Sequence, residues 1–422
     1  MDNGPLTVAF RTFGCKVNRV ESEDAAAALL GTGVRITPEE DAAVVVINTC
    51  TVTAEADRKA RKAVRHALAL PHAPVVVATG CLATTGAESL AALGDRVIVE
   101  AEREHVAARV TELLGVSEGR AAGPAVRSGD GFRTRAAVKV ADGCDAFCAY
   151  CIVPYARGLP RSVPRADVVA GVERLVAAGV SEVVLTGINI GRYADTDGAD
   201  LAALVESVAR TGVSRMRISS IEPLDLNDRL LGVLATTPSI CPHLHVPLQS
   251  ASDAVLRAMG RSYTVDEFAR RIAAARAAIP GLAVTTDVLV GFPGESDLDA
   301  QITRAAVEEA GFVRLHVFRY SEREGTAAAA MPDRVAAGVA VERAAVLRTL
   351  DARMREAHAR SRLGEIVDVL VESPAEDGGA SGTTGDYLNV RISPGDRRFR
   401  PGEIASVRLD DLLGDTLIGE AL

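Results

Sequence analysis

The chain has 422 residues and a formal net charge of -9, and 48% of its residues are hydrophobic. Single cores stop growing at about 250 to 300 residues, so two or three domains are expected. No apolar run approaches the roughly 20 residues of a membrane helix, and no basic segment followed by an apolar one begins the chain, so neither a membrane protein nor an exported one is expected. The acidic balance gives no general sign of nucleic-acid binding, so local basic patches must decide that question.

The first hundred residues alternate short β-branched runs with helical patterns, which predicts a small α/β domain with a parallel sheet. The predicted strands are Thr7 to Phe10, Ala43 to Ile47, Val75 to Ala78 and Val97 to Val99. Cys15, Cys50 and Cys81 each follow one of the first three strands. Ligands bind at the carboxyl edge of such sheets, so one shared site is plausible.

A Gly-, Ala- and Ser-rich segment at 115–133 predicts a linker, and β/α repeats follow it. Six strands separated by amphipathic helices predict an open, partial (β/α)6 barrel with its function at the carboxyl ends of the strands. These strands are Ala136 to Val140, Glu182 to Leu185, Arg215 to Ser219, Leu244 to Val246, Val284 to Val290 and Val313 to Phe318.

After a charged helix from about Val341 to Arg362, short strands separated by Gly and Pro predict a small antiparallel barrel. Its four predicted strands are Ile366 to Val371, Tyr387 to Ile392, Ile404 to Leu409 and Thr416 to Glu420.

The seven cysteines are an odd number in a long chain without an export signal, which favours reduced thiols over a disulfide framework. Cys144, Cys148 and Cys151 form a C-x-x-x-C-x-x-C motif just after the first barrel strand. Three thiolates can hold a 4Fe-4S cluster and leave one iron open, to which S-adenosylmethionine (AdoMet) can bind for reductive cleavage of its C-S bond. The alternative is a zinc knuckle, but zinc needs a fourth ligand and no histidine follows until His243.

For Cys15, Cys50 and Cys81 the alternative is three buried cysteines in an apolar sheet. Their shared position at strand ends argues against that alternative and suits a second cluster with an open iron. Cys241 has no matched neighbours and is interpreted as an ordinary semi-buried residue.

The sequence blocks, taken together, resemble the methylthiotransferase family of radical AdoMet enzymes in order over about 320 residues. The blocks are TFGCKVNRVESE, NTCTVTAEADRKARK, ATGCLA, DGCDAFCAYCIVPYARG, LTGINIGRY, SSIEP, HLHVPLQSASDAVLRAMGRSYT, TDVLVGFPGES and YSEREGTAAAAM. The resemblance implies an N-terminal methylthiotransferase domain at 5–114, the linker at 115–133, a radical AdoMet domain at 134–360 and a C-terminal TRAM barrel at 361–422.

The same resemblance implies two 4Fe-4S clusters. It assigns Cys144, Cys148 and Cys151 to the cluster that cleaves AdoMet, and Cys15, Cys50 and Cys81 to an auxiliary cluster that presents methylated sulfur. The deoxyadenosyl radical would abstract hydrogen from C2 of an adenine, and the product would carry a 2-methylthio group.

Further residues are expected to contact AdoMet because they lie at or just after strand ends, although each is as well explained as a turn or barrel residue. These are Thr186, Gly187, Ser219, Glu222, Gln249 and Gly291. Tyr155 and Arg157 are expected near the AdoMet-cleaving cluster because they follow Cys151 closely. The chain departs from the usual family pattern at Val163, Ala251 and Gly260.

Cys-Lys-Val-Asn at 15–18 and Thr-Val-Thr at 51–53 resemble the family branch that acts on N6-threonylcarbamoyladenosine (t6A) in tRNA. Enzymes acting on isopentenyladenosine or on a ribosomal protein are the alternatives, and a non-catalytic iron-sulfur RNA-binding or redox-sensing protein is an alternative of another class. We expect a monomeric cytoplasmic enzyme that takes electrons from a flavodoxin or ferredoxin. Two clusters of basic residues are candidate contacts for RNA phosphates, although a run of basic residues is more often an ordinary solvated surface. They are Arg58, Lys59, Arg61, Lys62 and Arg65 in the first domain and Arg397, Arg398 and Arg400 in the last.

Overall fold

A computed structural model of the chain describes residues 6–116, 134–395 and 397–422. Most of the predicted linker, residues 117–133, lies outside these ranges. The described residues form two compact units. The first contains 6–116 with Asp142–Pro160 and Ser321–Ala329, and the second contains 134–141, Arg161–Tyr320 and the described residues from Ala330 onward. None of the described helices combines the length and the apolarity needed to cross a bilayer.

The first unit is built on a parallel sheet whose strand order is β2-β1-β3-β4-β5. Its strands are β1 (Thr7–Thr12), β2 (Arg35–Ile36), β3 (Val44–Thr49), β4 (Val75–Gly80) and β5 (Val97–Val99). Its helices are α1 (Lys16–Leu30), α2 (Ala54–Leu68), α3 (Cys81–Thr85), α4 (Ala87–Ala91) and α5 (Val106–Leu114). The β-branched runs of β3 and β4 are buried, because each is covered by helices on two faces, as parallel strands usually are. The sequence analysis missed β2, a two-residue edge strand too short for any period.

The second unit contains the six predicted parallel barrel strands, in two hydrogen-bonded sheets of order β7-β6-β8-β9 and β10-β11-β12. Its strands are β6 (Arg135–Asp142), β7 (Arg161–Ser162), β8 (Glu182–Gly187), β9 (Arg215–Ile218), β10 (His243–His245), β11 (Ala283–Val290) and β12 (Arg314–Arg319). Two isolated parallel bridges connect these sheets. Met216 of β9 pairs with Ile240, which precedes β10, and Ser220, which follows β9, pairs with His245 of β10. The predicted open (β/α)6 arrangement is confirmed.

Helices pack on the outside of these strands and enclose the largest apolar core of the chain. The short helix α6 (Val153–Arg157) belongs to the first unit, and the others belong to the second. The others are α7 (Arg165–Ala177), α8 (Leu201–Ala209), α9 (Asp228–Thr236), α10 (Asp253–Ala258), α11 (Val265–Ala278), α12 (Asp297–Glu309) and α13 (Ala337–Ser361).

The C-terminal residues form a closed barrel of order β13-β14-β15-β17-β16, which confirms the predicted all-β domain. Its strands are β13 (Ile366–Pro374), β14 (Ala380–Thr384), β15 (Asn389–Ile392), β16 (Ile404–Leu413) and β17 (Thr416–Ala421). Two expectations were wrong in detail. The barrel is not wholly antiparallel, because β15 and β17 pair in parallel, and it has a fifth strand, β14, whose sequence ASGTT lacks the large apolar residues that mark a strand.

Within the second unit, the C-terminal barrel is joined to the (β/α) strands by a buried polar cluster around Arg217 of β9. The Arg217 guanidinium pairs with Glu182 at 2.7 Å and donates a 2.7 Å hydrogen bond to the carbonyl oxygen of Thr384. It also lies 3.7 Å from the centre of the Tyr387 ring, close enough for a cation-π contact. These partners satisfy a fully buried charge, which would otherwise be costly.

Candidate active site

The three cysteines of the first domain lie at one edge of its sheet. Cys50 directly follows β3, Cys81 is the first residue of α3 directly after β4, and Cys15 precedes α1 shortly after β1. Because β1, β3 and β4 are neighbours in the sheet, their carboxyl ends bring the three thiols to the same place.

Close packing in this region leaves little room for larger side chains. Gly14 has φ +97°, and a Cβ atom there would lie 2.7 Å from the Cβ atom of Cys50.

Burial, followed by the nearby thiols of Cys81 and Cys15, raises the pKa of Cys50 to about 11. Such thiols must lose their protons when they bind metal, so iron would compete with protons here.

Asn18 holds the strand ends around this cysteine site in place. Its Nδ2 atom donates hydrogen bonds to the carbonyl oxygens of Phe13 at 2.8 Å and Thr49 at 2.9 Å, and its own carbonyl oxygen accepts one from Asn48 Nδ2. The Cys15 thiol donates to Asn18 Oδ1 at 3.7 Å. A single buried amide thus ties the residues that precede Cys15 and Cys50 to the start of α1.

The second cysteine trio lies in the same unit, on the loop Asp142–Pro160. The base of the loop is closed by a 3.0 Å hydrogen bond from the Cys144 backbone N-H to the carbonyl oxygen of Gly158. Gly143 has φ +74°, and a Cβ atom there would lie only 2.0 Å from the Leu159 carbonyl oxygen, so this position requires glycine. Cys144, Cys148 and Cys151 are all partly exposed, as a cofactor site needs.

Arg157 connects the two cysteine-bearing segments of this unit. Its Nη1 atom lies 2.9 Å from Glu21 of α1 and 2.9 Å from Asp142, and its Nη2 atom donates to Asn18 Oδ1. Burial opposes its charge, but Cys81, Glu21 and Asp142 together raise the pKa of Arg157 above its ordinary value. The side chain therefore remains charged while it holds the start of α1 to the loop of the second trio.

Arg103 strengthens the same network. Its Nη2 atom donates to the carbonyl oxygen of Ala156 at 3.0 Å and lies 4.0 Å from the Cys81 sulfur, while its Nε atom lies 3.6 Å from Glu21. Two cations thus stand beside thiols that would carry negative charge as thiolates. Positive charge at this place would offset the negative charge of thiolate ligands in a bound cluster.

The segment Ser321–Ala329 completes the unit by packing at the N-terminal end of α2. Arg323 donates to Asp57 at 2.6 Å and to Thr51 at 2.7 Å, and Ser321 Oγ accepts a 2.9 Å hydrogen bond from the Ala54 backbone N-H. The Ala328 backbone N-H donates to the carbonyl oxygen of Ala149 at 2.7 Å, between two cysteines of the second trio.

The spacing of the thiols differs from that of the ligands around a single metal ion. Sulfur ligands of one tetrahedral zinc ion lie about 3.8 Å apart, given Zn-S bonds of about 2.3 Å. Among the described residues, neither cysteine trio has all three of its sulfur atoms within 4.8 Å of one another. Cluster binding by either trio stays a prediction.

The residues expected to contact AdoMet in the second unit lie along the carboxyl ends of neighbouring strands. Thr186 and Gly187 end β8, Ser219 follows β9, Gln249 follows β10 and Gly291 follows β11. Gln249 has φ +64°, an unusual conformation for a residue with a side chain, and its backbone is bridged to β11.

Two of these positions have internal partners, and a third has none among the described residues. Glu222 forms an ion pair with Arg261, and the backbone N-H of Gly291 donates to Glu295 at 2.6 Å. The hydroxyl oxygen of Ser219 is buried without a hydrogen-bond partner in the described part of the chain, so it is open to a ligand. AdoMet binding by this set stays a prediction.

Tyr155 and Arg157, both expected near the AdoMet-cleaving cluster, differ in their surroundings. Tyr155 is 52% exposed and meets the exposed Phe147 ring edge-on at 5.8 Å between ring centres. Arg157 is 4% exposed and its guanidinium is taken up by protein oxygen atoms, which indicates a positioning role. Cys241 is buried before β10, and burial raises the pKa of its thiol.

Sequence reasoning missed several residues that organise the site: Asn18, Glu21, Arg103, Asp142 and Arg323. Asn18 lies inside the motif that indicates the family branch, and Asp142 lies at the start of the block that contains the second cysteine trio. Glu21 and Arg103 look like ordinary helix-surface charges in the sequence, and only their burial shows that they belong to a network.

Two family models match the chain: the radical SAM superfamily over residues 138–306, and uncharacterized protein family UPF0004 over residues 7–99. A threonylcarbamoyladenosine tRNA methylthiotransferase, MtaB, from Bacillus subtilis is 39% identical, with 91% of this chain and 90% of that protein covered. MtaB from Thermotoga maritima is 35% identical over 98% of this chain and 96% of that protein. A tRNA-2-methylthio-N(6)-dimethylallyladenosine synthase from Mycolicibacterium smegmatis is 34% identical over 98% of this chain and 87% of that protein.

Among solved structures, the radical S-adenosylmethionine methyltransferase TsrM from Kitasatospora setae matches with a TM-score of 0.55 at 15% identity, covering 74% of each chain. At that identity the likeness concerns the fold alone. The sequence relatives confirm the expected enzyme class, and the superfamily confirms the expected use of AdoMet and iron-sulfur chemistry. The chain belongs to the radical AdoMet methylthiotransferases.

Proposed function

We propose that this enzyme converts N6-threonylcarbamoyladenosine next to the anticodon of tRNA into its 2-methylthio derivative, ms2t6A. The observation that carries the proposal is the placement of both cysteine trios in one compact unit, linked through Arg157. The t6A substrate is supported by the motif Cys-Lys-Val-Asn at 15–18 and by the tRNA methylthiotransferases of Bacillus subtilis and Thermotoga maritima.

The proposed roles follow from the residues of each trio. Cys144, Cys148 and Cys151 would hold one 4Fe-4S cluster, and Cys15, Cys50 and Cys81 the other, each with one iron left free of a protein ligand. When bound, the first cluster would supply the electron that cleaves AdoMet, and the second would supply sulfur. Arg157 and Arg103 would hold the two binding loops together and balance the negative charge of the thiolates.

Contact with tRNA is proposed for exposed cations on α2. Arg58, Lys62 and Arg65 are exposed and recur at helical spacing, so they form one face that we call the basic stripe. Lys59 is paired with Glu55, and Arg61 donates to the carbonyl oxygen of Ser89, so both are partly engaged within the chain. Exposed cations in a row can bind the phosphates of RNA without reading its sequence. We also propose that the enzyme acts in the cytoplasm, where tRNA is found, and that a flavodoxin or ferredoxin reduces it.

The substrate is tested by mass spectrometry of tRNA nucleosides from a deletion strain. The 2-methylthio form of t6A should disappear and return when the strain expresses the wild-type chain. It should not return with Cys148→Ala or Cys50→Ala. Cys241→Ala is the matched control, because this buried cysteine belongs to neither trio, and it should restore the modification.

The outcome also separates the alternatives. Persistence of ms2t6A with loss of methylthiolated isopentenyladenosine, or of a mass increment on a ribosomal protein, would assign the enzyme to another branch. Turnover of threonylcarbamoylated tRNA by the purified enzyme removes any contribution from a paralogue. A chain that releases no 5'-deoxyadenosine from AdoMet when reduced would instead be a non-catalytic iron-sulfur protein.

A further inference from the structure

A cluster of two histidines and one aspartate lies on the sheet β10-β11-β12 of the second unit. His245 stands on β10, Asp287 on β11 and His316 on β12, and the register pairs Asp287 directly with His316. His245 is paired with Thr285, two residues before Asp287. Because side chains alternate between the two faces of a strand, the three donor side chains share one face of the sheet.

The donor atoms are spaced as the ligands of a single ion. His245 Nε2 lies 3.1 Å and His316 Nδ1 lies 3.2 Å from Asp287 Oδ1, and all three donor atoms lie within 4.8 Å of one another. Ligands at about 2.0 to 2.1 Å from a tetrahedral zinc ion are separated by about 3.3 Å. The observed separations are close to this value.

The contacts of Asp287 with the two imidazoles are ion-pair contacts that lack the alignment of good hydrogen bonds. Asp287 Oδ1 is buried and has no hydrogen-bond partner among the described residues, although both imidazole nitrogens lie near it. The angles at these nitrogens therefore do not suit an N-H group aimed at this oxygen. Two imidazoles and a carboxylate that approach one another without hydrogen bonding are expected where all three bind a common ion.

The surroundings of His245 also fit a metal ligand. Its second ring nitrogen, Nδ1, lies 2.9 Å from Thr285 Oγ1. Histidines that bind metal through one nitrogen usually donate a hydrogen bond from the other, which fixes the tautomer and the ring orientation. The His245 and His316 rings are stacked with their centres 5.0 Å apart, so neither ring blocks the other from reaching a shared ion.

We propose that His245, Asp287 and His316 bind one divalent transition-metal ion that prefers nitrogen and oxygen ligands, with Zn²⁺ as the representative ion. Two histidines and one carboxylate are a common ligand set for such ions. The side chains of His245, Asp287 and His316 are 13%, 22% and 42% exposed, which leaves access for a fourth ligand. This ion would be additional to the two proposed iron-sulfur clusters, and the proposal does not depend on the substrate.

Metal analysis of the anaerobically purified holoenzyme tests the proposal, after exposure to Zn²⁺ and removal of loosely bound ions. The wild type should retain about one zinc in addition to the roughly eight irons of two 4Fe-4S clusters. Asp287→Asn and His316→Gln should each lose the zinc and keep the iron. His105→Gln is the matched control, because His105 is an exposed histidine on the first unit.

X-ray absorption at the zinc edge gives a second measurement that does not depend on any variant. Nitrogen and oxygen ligands at about 2.0 to 2.1 Å, with the outer scattering of imidazole, would support the site. Sulfur at about 2.3 Å would place the zinc in a cysteine trio and overturn the proposal. Failure of the wild type to retain zinc, or equal retention by both site variants, would overturn it as well, and circular dichroism verifies that the variants fold.

Discussion

Replacement of Arg157 by methionine is expected to loosen the connection between α1 and the loop of the second cysteine trio. The substitution removes the cation but keeps a long apolar side chain of similar reach. Glu21 and Asp142 would lose their ion pairs with Arg157 while remaining buried, since their side chains are only 5% and 10% exposed. Asn18 would lose its hydrogen bond from Nη2.

The magnitude follows from the burial of this ion pair. Breaking a buried pair by removal of one partner typically costs about 3 to 5 kcal/mol. Arg103 remains 3.6 Å from Glu21 and offsets part of the loss, so we expect the lower end, about 3 kcal/mol. At about 1.4 kcal/mol per factor of ten, this corresponds to roughly 100-fold more frequent local opening.

Hydrogen exchange measured by mass spectrometry resolves this local effect in a chain that need not unfold in one step. Peptides that cover α1 and the Asp142–Pro160 loop should exchange roughly 100-fold faster in Arg157→Met than in the wild type. Lys59→Met is the matched control from the same unit, because the side chains of Lys59 and its partner Glu55 are 63% and 55% exposed, so this ion pair lies at the surface. Such pairs contribute about 0 to 1 kcal/mol.

A result within about threefold of the Lys59→Met control would refute the reasoning, because it would mean that the network contributes no more than surface ion pairs do. A double-mutant cycle with Glu21→Gln provides a further check. The combined substitution should cost less than the sum of the two single ones, since the buried charges are then removed together.

Three further predictions concern the cysteine loop, the thiol chemistry and the RNA surface. Gly143→Ala should disrupt the loop, because its Cβ atom would lie 2.0 Å from a carbonyl oxygen, and iron analysis should find roughly four irons instead of eight. Gly115→Ala is the control, because its φ of +65° and ψ of 28° lie in the left-handed α region that alanine can adopt and no atom lies within 4 Å of its Cβ position; a similar iron loss there would contradict the steric explanation. Relative to Cys50→Ala, the iron-free wild type should lose about 2 to 3 kcal/mol of unfolding free energy between about pH 9 and 11. The reason is that burial raises the pKa of Cys50 to about 11, so as the pH rises the unfolded chain releases this proton before the folded chain does. Urea denaturation followed by circular dichroism measures the unfolding free energy, and equal pH dependence of the wild type and Cys50→Ala would mean that the thiol titrates normally. Replacing the three cations of the basic stripe by glutamine should reduce the magnitude of the slope of log affinity for tRNA against log salt concentration by about 2 to 3. An unchanged slope would show that the stripe does not contact tRNA.

The sequence by itself determined the fold class, the enzyme family and the positions of both cysteine trios along the chain. The fold class follows from local chemistry, because β-branched runs form buried strands, and cysteines at fixed spacing or at strand ends are suited to metal. The enzyme family follows from the resemblance of the sequence blocks to known methylthiotransferases. Even so, β2, β7 and β14 were missed, because two-residue edge strands and a strand of small polar residues carry no clear period.

Tertiary structure decided which of these residues act together. Arg157 was expected near one cluster because of its distance from Cys151 in the sequence, but the fold buries it against Glu21, more than a hundred residues away. Likewise, His245, Asp287 and His316 look unrelated in the sequence and meet only because β10, β11 and β12 pair in one register. Contacts of this kind depend on strand order and register, which arise from the packing of the whole chain, and no local pattern encodes them.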